Sequence, residues 1–505
     1  MRRSPVLRLL VLVVTVTMLA AACGGGGGDG DGGRAGDVLP GGDGGRAGAE
    51  PAPAPEGDSA GSASQGDEAA EEATSITYED TIDLTVQDLE EFWTEELPDV
   101  YGLEYESPTA VVPYDSTNTE DLAARFECFE GATYEDVAGN AFYCSLDDIV
   151  AYDDEELFPR FFEELGPFAV AFALAHEWGH AIQSPVRTAT DGPSVLIETQ
   201  ADCFAGAWAA HIDSGDSDLL TLDPGDLEIG MAALLQVRDP VGSDPTTEGA
   251  HGNGFDRTNA FQLGFEGGVD RCEEYATNPP PITETPFSSV TDVVLGGDLP
   301  LSQVPDTMSA DLDLYWAQFE ELQPYQSIDE IIEYNIAIER QLPECPSLDL
   351  DPSHSGDYEN LVFYCPDDDF IAFDEDLAEV VHRDLGDFGV AVLLSNAWSR
   401  GMQVRLEIDD EPEALALQAD CFSGAWTGSI PADQSLTVAT NGGPVERESA
   451  IILSPGDLDE AVQAFLLFSD DPAIEEGATG TAFERLTAFR TGFFEGEGAC
   501  IDLAG

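Results

Sequence analysis

The run His176-Glu177-Trp178-Gly179-His180 sets two imidazoles four positions apart with a carboxylate beside the first. Four residues is just over one helical turn, so on a helix both rings leave the same face and can grip one tetrahedral metal ion. Glu177 then stands where its carboxylate reaches a metal-held water without itself being a ligand. Glu198 and Asp202, in the run ETQADCFAGAW, are again four apart. A glutamate from a second helix completes the three-ligand, one-water set of catalytic zinc, and Asp202 is placed to accept a hydrogen bond from a ligand imidazole and so set its tautomer. A plainer reading makes both histidines satisfied members of an amphipathic helix. The Ala- and Phe-rich stretch around them argues for a buried helix instead, where two imidazoles and a carboxylate are costly without a partner; a metal removes that cost.

Two helices must position these groups. Phe168 to Gln183 is rich in Ala, Leu, Phe and Val, and Gly166-Pro167 makes its start. Ser194 to Ala210 follows Pro193 with apolar residues at helical spacing. The Phe-Tyr-Cys segments at 142–144 and 363–365 read as short strands. The fold class predicted is α+β, helix-dominated, with a small sheet in each half.

The two halves of the chain match each other in several blocks, the signature of an internal repeat. AFYCSLDDIVAYDDE from Ala141 pairs with VFYCPDDDFIAFDED from Val362, TQADCFAGAW from Thr199 with LQADCFSGAW from Leu417, and LDPGDL from Leu222 with LSPGDL from Leu453. RTNAFQLGFEGGVDRC pairs with RLTAFRTGFFEGEGAC, and all six Trp fall into three pairs: Trp93 with Trp316, Trp178 with Trp398, Trp208 with Trp426. The reading is a tandem duplication, one domain at 76–275 and a second at 305–505, joined by a Pro- and Thr-rich linker at 276–304. In the second copy Asn396, Ala397 and Arg400 stand where His176, Glu177 and His180 stand in the first, and Ala416 stands for Glu198, while Asp420 is kept. Side chains that pack were retained; those that would bind metal were lost together. His251 also changes, to Thr479, while Arg257 persists as Arg485, which nominates His251 as a hydrogen-bond donor to an oxyanion, with an idle loop histidine as the alternative. His211, His354 and His382 belong to no cluster and read as surface residues.

HEWGH, then ETQADCFAGAW, then HGNGFDR, three blocks in order, resemble the bacterial neutral zinc metallopeptidase family, a gluzincin-type group. The resemblance spans most of the first half and, in degenerate form, the second. It implies two tandem zincin-like domains, His176, His180 and Glu198 as ligands of one zinc ion per chain, and Glu177 as catalytic base, acting on a peptide or protein. Peptide-bond hydrolysis without a covalent enzyme intermediate follows, with a metal-activated water as nucleophile. The alternatives are a non-catalytic surface binding protein with a structural metal site and a peptidase directed at cell-wall peptides.

Composition narrows the setting. The chain of 505 residues carries 101 acidic against 18 basic side chains, every basic one Arg, for a formal charge of -83. Such a polyanion repels phosphate backbones and anionic head groups, which disfavours nucleic acid and electrostatic membrane attachment. Arg2, Arg3 and Arg8 precede an apolar run ending in Ala20-Ala21-Ala22-Cys23, the anatomy of a signal peptide over 1–22. Cys23 resembles a lipobox cysteine, although Ala20 stands where Leu is commoner, so plain cleavage after Ala22 is the alternative. Residues 23–75 then form an anchor and a Gly-, Ala- and Asp-rich tether unable to order itself. The expectation is an exported, extracytoplasmic lipoprotein touching membrane only through its lipid. The other eight cysteines read as disulfides. By the repeat logic they pair as Cys128 with Cys144, Cys203 with Cys272, Cys345 with Cys365, and Cys421 with Cys500.

Overall fold

Helix α1 (Tyr78–Glu96) is the first described element, its first turn capped by the Thr77 hydroxyl, which accepts from the Asp80 N–H. The computed structural model describes residues 76–186, 193–247, 249–284, 287, 293–294, 296–336, 342–431, 449, 451–469 and 479–502. The leader, Cys23 and the tether lie outside these residues, as do linker residues 285–286, 288–292 and 295. Short strands follow α1: β1 (Ala110–Tyr114), β2 (Ala141–Cys144) and β3 (Ile149–Asp153). Helices α2 (Leu157–Glu164), α3 (Pro167–Val186), α4 (Ser194–Asp213), α5 (Asp226–Gln236) and α6 (Gly254–Glu273) complete the first half.

The second half runs through α7 (Val304–Trp316), β4 (Glu330–Tyr334), β5 (Val362–Cys365), β6 (Phe370–Asp374), α8 (Glu375–Asp384), α9 (Asp387–Arg405), α10 (Pro412–Gly428), α11 (Asp457–Phe468), α12 (Ala482–Glu495) and α13 (Glu497–Asp502). The fold is therefore helix-dominated α+β. Both sheets have the same topology, β1-β3-β2 and β4-β6-β5, each with a parallel outer pair and an antiparallel hairpin. Each hairpin turns through an aspartate in the left-handed region, Asp148 and Asp369. Each aspartate also accepts a hydrogen bond from a strand tyrosine, Tyr143 or Tyr364.

Both key helices run past the ends that their apolar pattern predicts, α3 to Val186 and α4 to Asp213. They pack at unusual closeness because their contact residues are small. A Cβ on Gly179 would lie 2.9 Å from the Ala201 Cα, and one on Gly264 would lie 1.8 Å from the Cys203 carbonyl oxygen, so α4 is wedged between α3 and α6 with backbone touching backbone. The disulfides are Cys128–Cys144, Cys203–Cys272, Cys345–Cys365 and Cys421–Cys500; Cys203–Cys272 ties α4 to the end of α6.

From Thr77 onward the chain forms one compact unit, and a single hydrophobic cluster runs from Ile82 to Cys500 through both halves. The halves meet reciprocally. Glu228 on α5 accepts the Phe483 N–H at the start of α12, and Asp459 on α11 accepts the Phe255 N–H at the start of α6. Asp459 also pairs with Arg238 at 2.8 Å, and Phe255 sits in a nest of Phe489, Phe493 and Phe494 rings. The linker is irregular over 277–284 but not clear of the core: Asp256 accepts from the Thr283 N–H and hydroxyl, and Glu284 is buried. Among the described residues no helix is long and apolar enough to cross a membrane.

Candidate metal centre

Helix α3 presents His176 and His180 one turn apart on the side facing α4, and α4 presents Glu198 to them. His176 Nε2 lies 3.2 Å from His180 Nε2, and Glu198 Oε2 lies 3.3 Å from the first and 3.5 Å from the second. The opposite nitrogen of each ring is already engaged. His176 Nδ1 meets Asp202 Oδ1 at 2.7 Å, and His180 Nδ1 meets Gln183 Oε1 at 2.9 Å. Asp202 is an ionised acceptor because Arg257 grips it with two N–H groups, at 2.8 and 2.9 Å, in a fully buried fork. Gln183 must offer its oxygen, because its amide nitrogen donates to the Ile197 carbonyl and to Gln200.

In the neutral rings both Nδ1 atoms therefore carry the proton, which leaves both Nε2 lone pairs facing each other and a carboxylate oxygen. Three such electron-pair donors repel unless a cation, a proton or a metal ion, sits among them. Two ligands of a tetrahedral zinc, each about 2.0–2.1 Å from the ion, stand about 3.3–3.4 Å apart. The three spacings match that edge length, and the donor set of two nitrogens and one oxygen is one that zinc takes. These three residues form the histidine-containing group among the described side chains that could hold a metal.

The electrostatics carry the same message. Burial would lower the His176 imidazole, yet Asp202 and Glu198 push it up to about 10; His180 is likewise raised against burial, by Glu198. Burial would raise the Glu198 carboxyl, but the two histidines, and more weakly His251, hold it well below the usual range. The cluster calls for positive charge. Side-chain exposures of 9%, 17% and 16% for His176, His180 and Glu198 leave the group open on one side.

Glu177 does not join the ligand group. One of its oxygens accepts the Tyr143 N–H from the free edge of β2 at 2.8 Å, which fixes the carboxylate beside the metal donors. His251, on the loop before α6, is brought close enough to act electrostatically on Glu198, and its Nδ1 lies 3.6 Å from Asp239. The lone histidines are less simple than a surface reading allows. His354 is exposed, but the half-buried His211 ring packs 5.2 Å from Phe92, and His382 meets the Leu299 carbonyl at 2.7 Å.

At the corresponding place in the second half a similar hydrogen-bonded scaffold stands without the donors. The Asn396 amide donates to Asp420 where His176 meets Asp202, and Arg485 forks onto Asp420 at 2.7 and 2.9 Å. Arg400 donates to Gln403, which bridges to the Leu415 carbonyl and Gln418 just as Gln183 bridges to Ile197 and Gln200. Ala397 and Ala416 occupy the remaining positions, and among the described residues no metal-holding group forms there.

Three residues of the centre escaped the sequence reading: Arg257, Gln183 and Tyr143. The persistence of Arg257 as Arg485 and of Gln183 as Gln403 was a usable signal. Tyr143 acts through its backbone N–H, which leaves no trace in residue type.

Residues 52–275 match the family model described as "putative neutral zinc metallopeptidase". The chain is similar to the uncharacterized protein Rv2575 of Mycobacterium tuberculosis, 30% identical over 161 residues that span 27% of this chain and 55% of the relative. It is likewise 30% identical to the uncharacterized protein YpfJ of Escherichia coli, over 150 residues that span 25% of this chain and 50% of the relative. The chain thus spans about half the length of the curated relatives it matches. No solved structure matches it.

Proposed function

We propose that the chain is an exported zinc-dependent peptidase whose chemistry resides in the first half, the second half being a duplicated copy that no longer binds metal and serves to brace the first. The observation that carries this reading is the convergence of the His176, His180 and Glu198 lone pairs beside a separate, anchored carboxylate. His176 and His180 on α3 and Glu198 on α4 would hold the ion, which when bound supplies an acidified water and a Lewis acid for the scissile carbonyl. Glu177, held by the Tyr143 N–H through one oxygen, has the other to take the proton of the attacking water and return it to the leaving amine. Asp202, locked by Arg257, keeps the His176 ring in its ligating tautomer, and Gln183 does the same for His180. His251, on the loop before α6, would donate to the developing oxyanion.

The bracing role of the second half rests on the reciprocal caps. Asp459 holds the first turn of α6, and α6 carries Arg257; displacing that turn would loosen Asp202 and then His176. Export and lipidation rest on the leader and Cys23 alone.

Glu177→Gln is the test. It should abolish hydrolysis of a peptide library while the protein keeps about one zinc per chain by elemental analysis. Residual turnover near the wild-type rate, or two zinc ions per chain, would overturn the assignment.

A further inference from the structure

A second group of candidate ligands is formed by the linker and the second half, on elements other than those that carry His176, His180 and Glu198. Asp298 in the linker, Asp387 at the start of α9 and Glu460 on α11 each bring a carboxylate oxygen within 4.8 Å of the others. Asp387 is 4% exposed and Glu460 is 6% exposed. Asp457, also buried, acts electrostatically on both. None of the four enters an ion pair with an arginine among the described residues. The basic side chain beside the group is His382, whose Nε2 is engaged with the Leu299 carbonyl at 2.7 Å.

Local caps explain part of the arrangement. Asp457 accepts from the Ser454 N–H and hydroxyl, and Glu460 accepts from the Phe388 and Gly389 N–H groups at the start of α9. Asp387 Oδ2 accepts the Leu299 N–H. Asp387 Oδ1, however, is buried without a hydrogen-bond partner, on a carboxylate inside a cluster of carboxylates. A buried acceptor left so is expensive, and for a charged group more so.

The first half shows what the position needs for packing alone. In the register that pairs Trp178 with Trp398 and LDPGDL with LSPGDL, Asp387 corresponds to Pro167 and Glu460 to Ile229. There a Cβ on Gly166 would meet only the Ile229 side chain, at 3.8 Å; on Gly386 it would fall 2.1 Å from the Glu460 carboxylate. Two apolar side chains in one half are thus replaced by two buried acids in the other, and the linker adds a third. Burial and the neighbouring acids push the Glu460 carboxyl well above its ordinary range, the penalty of leaving this charge bare.

We propose that Asp298, Asp387 and Glu460 form a binding site for a hard divalent cation of the calcium class, clamping the linker to α9 and α11. The donors are all oxygen, as calcium prefers, and two oxygens on one calcium, each about 2.4 Å from it, lie no more than about 4.8 Å apart. The ion would satisfy Asp387 Oδ1 and offset the buried charge.

The test uses the full mature chain, stripped of metal and reloaded with one equivalent of zinc, dialysed against radioactive calcium at high potassium chloride to suppress surface binding. The wild type should retain one more calcium per chain than Asp387→Asn/Glu460→Gln, and its thermal midpoint should rise with calcium while that of the variant stays put. A second variant, Asp387→Asn/Glu460→Ile, restores the first half's apolar residue and should fold without calcium. Glu198→Ala should keep the calcium, since the histidine site is separate. Equal calcium in wild type and both variants, a folded wild type that binds none, or loss of the calcium in Glu198→Ala would each overturn the proposal.

Discussion

Asp202→Asn separates the role of the buried Asp202–Arg257 fork in metal binding from its role in packing. Asp202 accepts from His176 Nδ1 at 2.7 Å and from two Arg257 N–H groups, with no exposure of its own. An asparagine keeps the shape but loses the charge, and its amide must turn a donor toward either His176 or Arg257. A hydrogen bond to a charged group is worth about 1.5–3 kcal/mol. At about 1.4 kcal/mol per decade, zinc affinity should fall about 10- to 100-fold, the range found when a partner behind a metal-bound histidine is removed. Stability should fall by up to about 3–5 kcal/mol, because Arg257 is left as a buried charge without its counterion. The second half supplies the control. Asp420→Asn breaks the equivalent fork with Arg485 and should cost similar stability, yet should leave zinc affinity alone because Asn396 stands where His176 does. Competition with a chromophoric chelator measures zinc affinity, and urea unfolding followed by Trp fluorescence measures stability. Unchanged zinc affinity in Asp202→Asn, or an equal loss in Asp420→Asn, would refute the reasoning.

Gly264→Ala should destabilise by about 1–3 kcal/mol or more, since its Cβ would lie 1.8 Å from the Cys203 carbonyl oxygen and rigid backbone must yield; urea midpoints measure this, with Gly268→Ala, where a Cβ meets nothing but φ is +65, separating crowding from backbone strain. Glu284 is buried with an unpartnered oxygen, and burial pushes its carboxyl up to about 9. A raised folded-state value means the folded chain holds the proton longer than the unfolded one, so this group's destabilisation is absent below about pH 4.3 and grows as pH rises toward 9. Glu284→Gln should therefore be more stable than wild type at pH 8, with the gain shrinking at pH 5, as read by urea unfolding at both. His251→Ala should cut turnover about 10²- to 10³-fold with zinc content intact; unaltered turnover would remove it from the oxyanion role.

The candidate ligands were legible because their signal is local. A spacing of four on an apolar helix declares a shared face whatever the tertiary fold, so His176 with His180 and Glu198 with Asp202 could be paired on paper. Self-comparison added which residues change together, and the same register supplied the cysteine partners. Helix ends were less legible, because both α3 and α4 continue by packing after the periodic apolar signal fades.

What the tertiary structure decided is everything that depends on groups meeting across long stretches of chain. The grip of Arg257 on Asp202 spans 55 residues, and the caps between halves span more than 200. The anchoring of Glu177 uses a backbone N–H, and the acidic cluster around Asp387 becomes costly only once packing removes its water. In a chain with 101 acidic residues, the sequence could not distinguish carboxylates left in solvent from the few that packing buries. Periodicity reports which face of an element is apolar; it carries no information about which distant polar group will be buried against that face, and the chemistry of this chain is set there.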